Sequence, residues 1–96
     1  MVDEVIYSLL QHRKEIKESE NKIICARDIV LDALETSPNK DDYLTSLENE
    51  VITVEMKNKK ELSFSFSYTG SMLRLFVNDL HYHDILIPDN NNDEVF

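Results

Sequence analysis

Residues 61–77 have the sequence ELSFSFSYTGSMLRLFV, which decides the fold. Apolar and polar residues alternate on both sides of Gly70-Ser71, as they do in two half-buried β-strands joined by a tight turn. Glycine in the first turn position favours a type II′ turn, which places Phe66 opposite Leu75. The stretch therefore predicts an antiparallel hairpin with one apolar face.

Two more turns extend this hairpin over residues 51–87. A loop at residues 58–60 precedes it, and a turn at residues 78–79 follows it and pairs Leu75 with Tyr82. In all three turns the large apolar residues fall on one face, whereas a slip of one residue would mix them with polar residues. The sequence therefore predicts a four-stranded antiparallel meander.

The reverse face of the last two strands is the candidate binding site. Here the sequence mixes apolar and polar side chains, a composition typical of contact surfaces, whereas the first two strands carry hydrophilic residues on this face. Asp84 departs from the pattern, because the predicted register places it on the core face. An equally open alternative is that the chain's own N-terminal helix covers the patch. We expect a partner protein to contact Met72, Arg74, Phe76, His81, His83 and Ile85.

Residues 3–36 contain no glycine or proline and are predicted to be helical, with an end at Ser37-Pro38. Apolar residues spaced by seven form a seam that favours pairing with a second copy or with a partner helix. Two interpretations remain open: one long coiled-coil helix, or two helices that break near residues 19–21. An unbroken helix would be about 50 Å long and would overhang strands of about 26 Å, so it would need an external helix. The seam consists of Val2, Leu9, Ile16, Ile23 and Val30.

The remaining segments complete a single α+β domain over residues 1–88. Residues 39–50 are predicted to form a short second helix between the N-terminal helix and the meander. Residues 89–96 are rich in asparagine and acidic residues and are predicted to be a flexible acidic tail. A chain of 96 residues is in the range of one domain.

The composition limits the compartment and the partners. No apolar run approaches the roughly 20 residues of a membrane span, and the start of the chain lacks the features of a signal peptide. Cys25 is the only cysteine, which favours the cytoplasm or another reducing intracellular compartment. The net charge of −9 argues against direct binding to nucleic acid or to an anionic membrane.

The same negative charge supports an alternative function. A protein with carboxylates along one surface can act as an acidic inhibitor that mimics nucleic acid and occupies the site of a basic protein. Acidic residues recur along the predicted helix at Glu15, Glu18, Asp28, Asp32 and Glu35.

Catalysis is not expected from this sequence. Its single glycine argues against a phosphate-binding loop, and Cys25 has no local histidine partner. His81 and His83 are predicted to point the same way from one strand, as a metal-binding pair would, but no third and fourth ligands are evident. The sequence therefore predicts no catalytic residue, cofactor or metal, and we interpret both histidines as interface residues.

Residues 51–88 resemble the RWD-type globular heads of kinetochore coiled-coil proteins, and Leu62-Ser63-Phe64-Ser65-Phe66 is the closest part. The resemblance implies a coiled-coil assembly subunit with an RWD-like head. Independently of it, the patch and the seam predict a non-catalytic protein–protein interaction module, or a small regulatory or inhibitory binding protein. We expect such a protein to work as a homodimer or in a hetero-oligomer.

Overall fold

The computed structural model describes residues 1–87, and the tail predicted over residues 89–96 lies outside them. The fold is α+β, as predicted, with helices followed by an antiparallel sheet. Three helices come first, α1 (Val2–Gln11), α2 (Arg13–Glu18) and α3 (Lys22–Glu35), and a single 3-10 turn follows at Lys40–Asp42. The sheet consists of β1 (Tyr43–Glu48), β2 (Val51–Met56), β3 (Glu61–Thr69), β4 (Met72–Val77) and β5 (Leu80–Leu86), in the order of the chain.

The N-terminal helical region is broken twice. At Ser19 the backbone becomes extended, and both the amide and the hydroxyl of Ser19 donate to the carbonyl of Ile16, at 3.2 and 2.8 Å. Asn21 then caps α3, because its side chain accepts a hydrogen bond from the amide of Ile24 at 3.1 Å. A second irregularity at His12 separates α1 from α2. The predicted break near residues 19–21 is therefore confirmed and the unbroken helix is wrong, but the second break at His12 gives three helices instead of the predicted two.

The predicted helical seam packs inside the chain. Leu9, Ile16 and Val30 are fully buried, and Val2 and Ile23 pack against the same core. The helices lie on one side of the sheet, here called the inner face, where α1 contacts α3 and β5 and α3 crosses β2 and β3. Each fully buried Leu or Ile stabilises the fold by about 1.5–3 kcal/mol. The overhang that would have required an external helix is absent from the described residues, because the helices fold back on the sheet.

The predicted second helix over residues 39–50 is wrong, because most of it forms the edge strand β1. A spacing of three between Leu44 and Leu47 favours a helix, but Asn49 adopts a φ of 57° and reverses the chain in a two-residue turn. The strand is held to α3 by the Tyr43 hydroxyl, which donates to the carbonyl of Leu34 at 2.6 Å. Within residues 1–87 the sheet therefore has five strands rather than the predicted four.

The central hairpin forms as predicted, with Phe66 opposite Leu75 and a positive φ at Gly70. The loop before it spans residues 57–59 instead of 58–60, because Lys59 adopts a left-handed conformation and the amide of Met56 donates to the carbonyl of Lys60. Pairing between β2 and β3 is therefore displaced by two residues. A displacement of two leaves every side chain on its predicted face.

The last hairpin differs from the prediction because of a β-bulge. The turn at residues 78–79 has the two positive φ angles of a type I′ turn. The pair Phe76–His81 is followed by Leu75–His83, so Tyr82 has no counterpart on β4. An inserted residue reverses which face the following side chains occupy. Every side chain after Tyr82 on β5 therefore lies on the face opposite to the predicted one.

Candidate binding site

The outer face of β4 and β5 carries a mixed patch of side chains, here called the outer patch. The helices pack on the inner face and leave this side of the sheet uncovered within residues 1–87. Met72 and Phe76 are half-buried, and Leu86, which lies across from Met72, is 54% exposed. The outer patch consists of Met72, Arg74, Phe76, His81, Asp84 and Leu86.

The centre of the outer patch is a cluster of polar side chains around the carboxylate of Asp84. One oxygen of Asp84 lies 2.6 Å from Nε2 of His81 and 3.8 Å from Nε of Arg74. The ring of His81 also lies beside the ring of Phe76, with a distance of 5.7 Å between centroids. Exposed ion pairs of this kind contribute at most about 1 kcal/mol to stability. These contacts hold the polar side chains of Arg74, His81 and Asp84 in the middle of the outer patch. The apolar pair Met72–Leu86 lies at one end of the patch, and Phe76 lies at the other.

Two of the six residues predicted for the patch are elsewhere. Ile85 is 1% exposed in the core, across from Leu73, and is not available to a partner in the folded chain. His83 is paired with Leu75 at the sheet edge and is exposed there. Met72, Arg74, Phe76 and His81 are on the outer face, as predicted.

The bulge also separates the two histidines. His81 is on the outer face with Phe76, whereas His83 pairs with the inner-face residue Leu75. The prediction that they point the same way is therefore wrong. Among residues 1–87, no group of three or more His, Cys, Asp or Glu side chains is arranged to hold a metal ion.

Sequence reasoning missed Asp84 and Leu86 as members of the outer patch. The signal was present, because Asp84 was the one polar residue that the regular register placed in the core. A single irregularity in β5 would have moved Asp84 outward and Ile85 inward together. The structure has this irregularity at Tyr82.

A groove between the helices gathers part of the acidic surface. It has a volume of about 380 Å³ and is lined by His12, Glu15, Cys25, Asp28, Ile29 and Asp32. Asp28 pairs with Arg27 at 2.9 Å, and Glu15 lies 3.9 Å from His12. Glu18 and Glu35, which were predicted to share this surface, do not line the groove.

Cys25 is half-buried beside this groove. Burial raises the pKa of the Cys25 thiol, and a hydrogen bond with the Ser19 side chain acts in the opposite direction. The thiolate is the reactive form of cysteine, so a raised pKa lowers reactivity near neutral pH.

Comparison with protein-family models, curated proteins and solved structures found no match to this chain. In residues 1–87, every helix is too short or too polar to cross a membrane.

Proposed function

We propose that the protein is a non-catalytic binding module whose outer patch contacts a partner protein. The observation that supports this proposal is the open outer face of β4 and β5, where Met72, Phe76 and Leu86 surround fixed polar groups. Methionine, aromatic residues and arginine are enriched in the centres of protein interfaces. Such binding would also be the basis of a regulatory or inhibitory role.

The proposed contact uses the sheet rather than the N-terminal helices. Leu9, Ile16 and Val30 have no exposed surface, so a partner helix would have to displace the core to reach the seam. The outer patch is accessible without such a rearrangement. We place this binding in the cytoplasm or another reducing intracellular compartment, because Cys25 is the only cysteine and is half-buried and unpaired.

The test is affinity capture with quantitative mass spectrometry, comparing the unaltered protein with the variant Leu86→Asp. Leu86 is an exposed apolar side chain at one end of the outer patch, and a carboxylate in its place would lose its hydration on contact with a partner. A cost of about 1.4 kcal/mol corresponds to a tenfold loss of affinity, so we expect specific partners to decrease at least tenfold. Tyr7→Asp is the matched control, because Tyr7 is an apolar residue with a similar exposure, 62%, on α1. An identical set of captured proteins for Leu86→Asp and the unaltered protein would refute the proposal. Circular dichroism shows whether both variants remain folded.

The groove between the helices supports a second candidate function, the acidic mimic of nucleic acid. Glu15, Asp28 and Asp32 surround it in a chain with a net charge of −9. Binding of this kind falls steeply as salt increases. We expect Asp28→Asn together with Asp32→Asn to weaken it and Leu86→Asp to leave it unchanged. Affinity for the captured partner that is the same at 50 and 300 mM salt would exclude this candidate.

A further inference from the structure

The edge strand β1 presents unpaired backbone groups to solvent. The amide of Lys57 donates to the carbonyl of Asp42, and the amide of Met56 donates towards β3, to the carbonyl of Lys60. Tyr43, the partner of Met56, therefore directs its own N–H and C=O away from β2, because hydrogen-bonded and non-bonded pairs alternate in an antiparallel ladder. The same alternation directs the backbone of Thr45 and Leu47 outward.

Within residues 1–87, this edge has few of the devices that usually protect a sheet against strand addition. Residues 43–47 contain no charge and no proline, and β1 pairs with β2 without a bulge. Leu44 is 71% exposed and Leu47 is also exposed. At the opposite edge, β5 has a bulge and the charged residue Asp84. Natural proteins use such devices to blunt sheet edges, so β1 is the edge that is open to a partner strand.

The charges around β1 determine which partner fits. Glu48 and Glu50 are exposed at one end of the strand, and the nearby Arg27 pairs with Asp28 and donates to the carbonyl of Asn49 instead. Glu55 lies across from the exposed Leu44. These carboxylates favour a strand that carries Lys or Arg at its end. Tyr43, Thr45 and Leu47 alternate along the inner face of β1, which favours apolar residues at alternate positions of the added strand.

A second copy of the chain fits this edge less well. Antiparallel pairing of two β1 strands centred on Thr45 would satisfy the outward groups of both copies. It would also place Glu48 opposite Asp42 of the other copy, twice by symmetry, and like charges in direct opposition are destabilising. Lys57 lies 3.3 Å from Asp42 and offsets only part of this repulsion. Each copy also carries a net charge of −9.

We propose that β1 binds an extended basic segment of a partner protein, which adds to the sheet as a sixth strand. Main-chain hydrogen bonds with Tyr43, Thr45 and Leu47 hold the segment, and Glu48 and Glu50 select its basic end. This surface is on the opposite edge of the sheet from the outer patch. The two sites are therefore independent, and each can be removed without the other.

The probe is a displayed library of random 12-residue peptides, selected on the unaltered protein. We expect the enriched peptides to combine alternating apolar residues with Lys or Arg. Thr45→Pro is the decisive variant, because it removes an outward N–H and leaves the bonds between β1 and β2 in place. We expect it to weaken the selected peptides at least tenfold, whereas Leu86→Asp leaves their affinity unchanged.

A second variant keeps the proposal testable if Thr45→Pro fails to fold. Glu48→Lys with Glu50→Lys alters only exposed side chains, and selection on it is expected to shift the enriched peptides from basic to acidic ends. The proposal is overturned if no peptide is enriched, if binding is indifferent to these variants, or if the edge instead forms a dimer that Thr45→Pro abolishes.

Discussion

Ile85 and Leu86 are neighbours on β5, and the bulge at Tyr82 decides which of them is in the core. In the structure Ile85 is 1% exposed and Leu86 is 54% exposed. A regular register would exchange their positions. Replacing each with alanine therefore tests the bulge directly.

The expected costs differ by several kilocalories per mole. Truncation of a buried Ile or Leu to alanine costs about 2–5 kcal/mol, whereas substitution of an exposed strand residue costs under about 1 kcal/mol. For a domain of this size, 1 kcal/mol corresponds to roughly 4–8 °C in melting temperature. A cost of about 3 kcal/mol for Ile85→Ala therefore lowers the melting temperature by roughly 12–24 °C.

The measurement is urea unfolding followed by circular dichroism, with the midpoint and the slope fitted for both variants. A larger loss of stability for Leu86→Ala than for Ile85→Ala would show that β5 is regular and that the outer patch is wrongly composed. If Ile85→Ala does not fold, Ile85→Val replaces it. That smaller truncation costs about 0.5–1.5 kcal/mol, and it is compared with Leu86→Val, which leaves a β-branched residue on an exposed strand position and is expected to be near neutral.

Three further predictions concern the helices and their contacts. Because the helical seam is buried, we expect light scattering to give a monomer of 11.2 kDa at all concentrations; a stable dimer would mean that the seam or an edge strand pairs between copies. Tyr43→Phe removes the hydrogen bond to the carbonyl of Leu34 and is expected to lower the free energy of unfolding by about 1 kcal/mol in urea titration; an unchanged midpoint would show that the bond adds nothing. Burial raises the pKa of Cys25, so its alkylation rate should reach half-maximum at a higher pH than that of a cysteine in a short peptide; a profile at the same or lower pH would contradict this direction.

The hairpin around Gly70 was predictable from local sequence, because turn chemistry and alternation specify the same register. The break near residues 19–21 was one of two predicted alternatives, since serine and asparagine satisfy the unpaired groups at helix ends. The identity of β1 was not predictable in the same way. Its helical spacing of Leu44 and Leu47 was overridden by pairing with β2, which depends on residues outside the segment.

The candidate site was predicted in part for a related reason. Four of its residues follow from alternation along β4 and the turn at residues 78–79, whereas Asp84 and Leu86 depend on the bulge. The sequence carries one sign of the bulge, Asp84 at a core position of the regular register, but the position of the bulge depends on how the later residues fit the core. The burial of Ile85 and Ile87 supplies that fit. The register of β5 after Tyr82 is therefore set by packing against the core and not by its local sequence.

The order of the strands has a consequence for synthesis of the chain. Every strand pairs with the strand next to it in sequence, so each hairpin can form as soon as its two strands are available, within about 1–10 μs. By contrast, α1 packs on β5, and these are the first and last elements of the described residues. At roughly 5–20 residues per second, translation needs on the order of seconds to bring β5 out after α1. Until β5 is available, Val5 and Leu9 can pack only against α3, and we expect part of their apolar surface to stay exposed on the nascent chain.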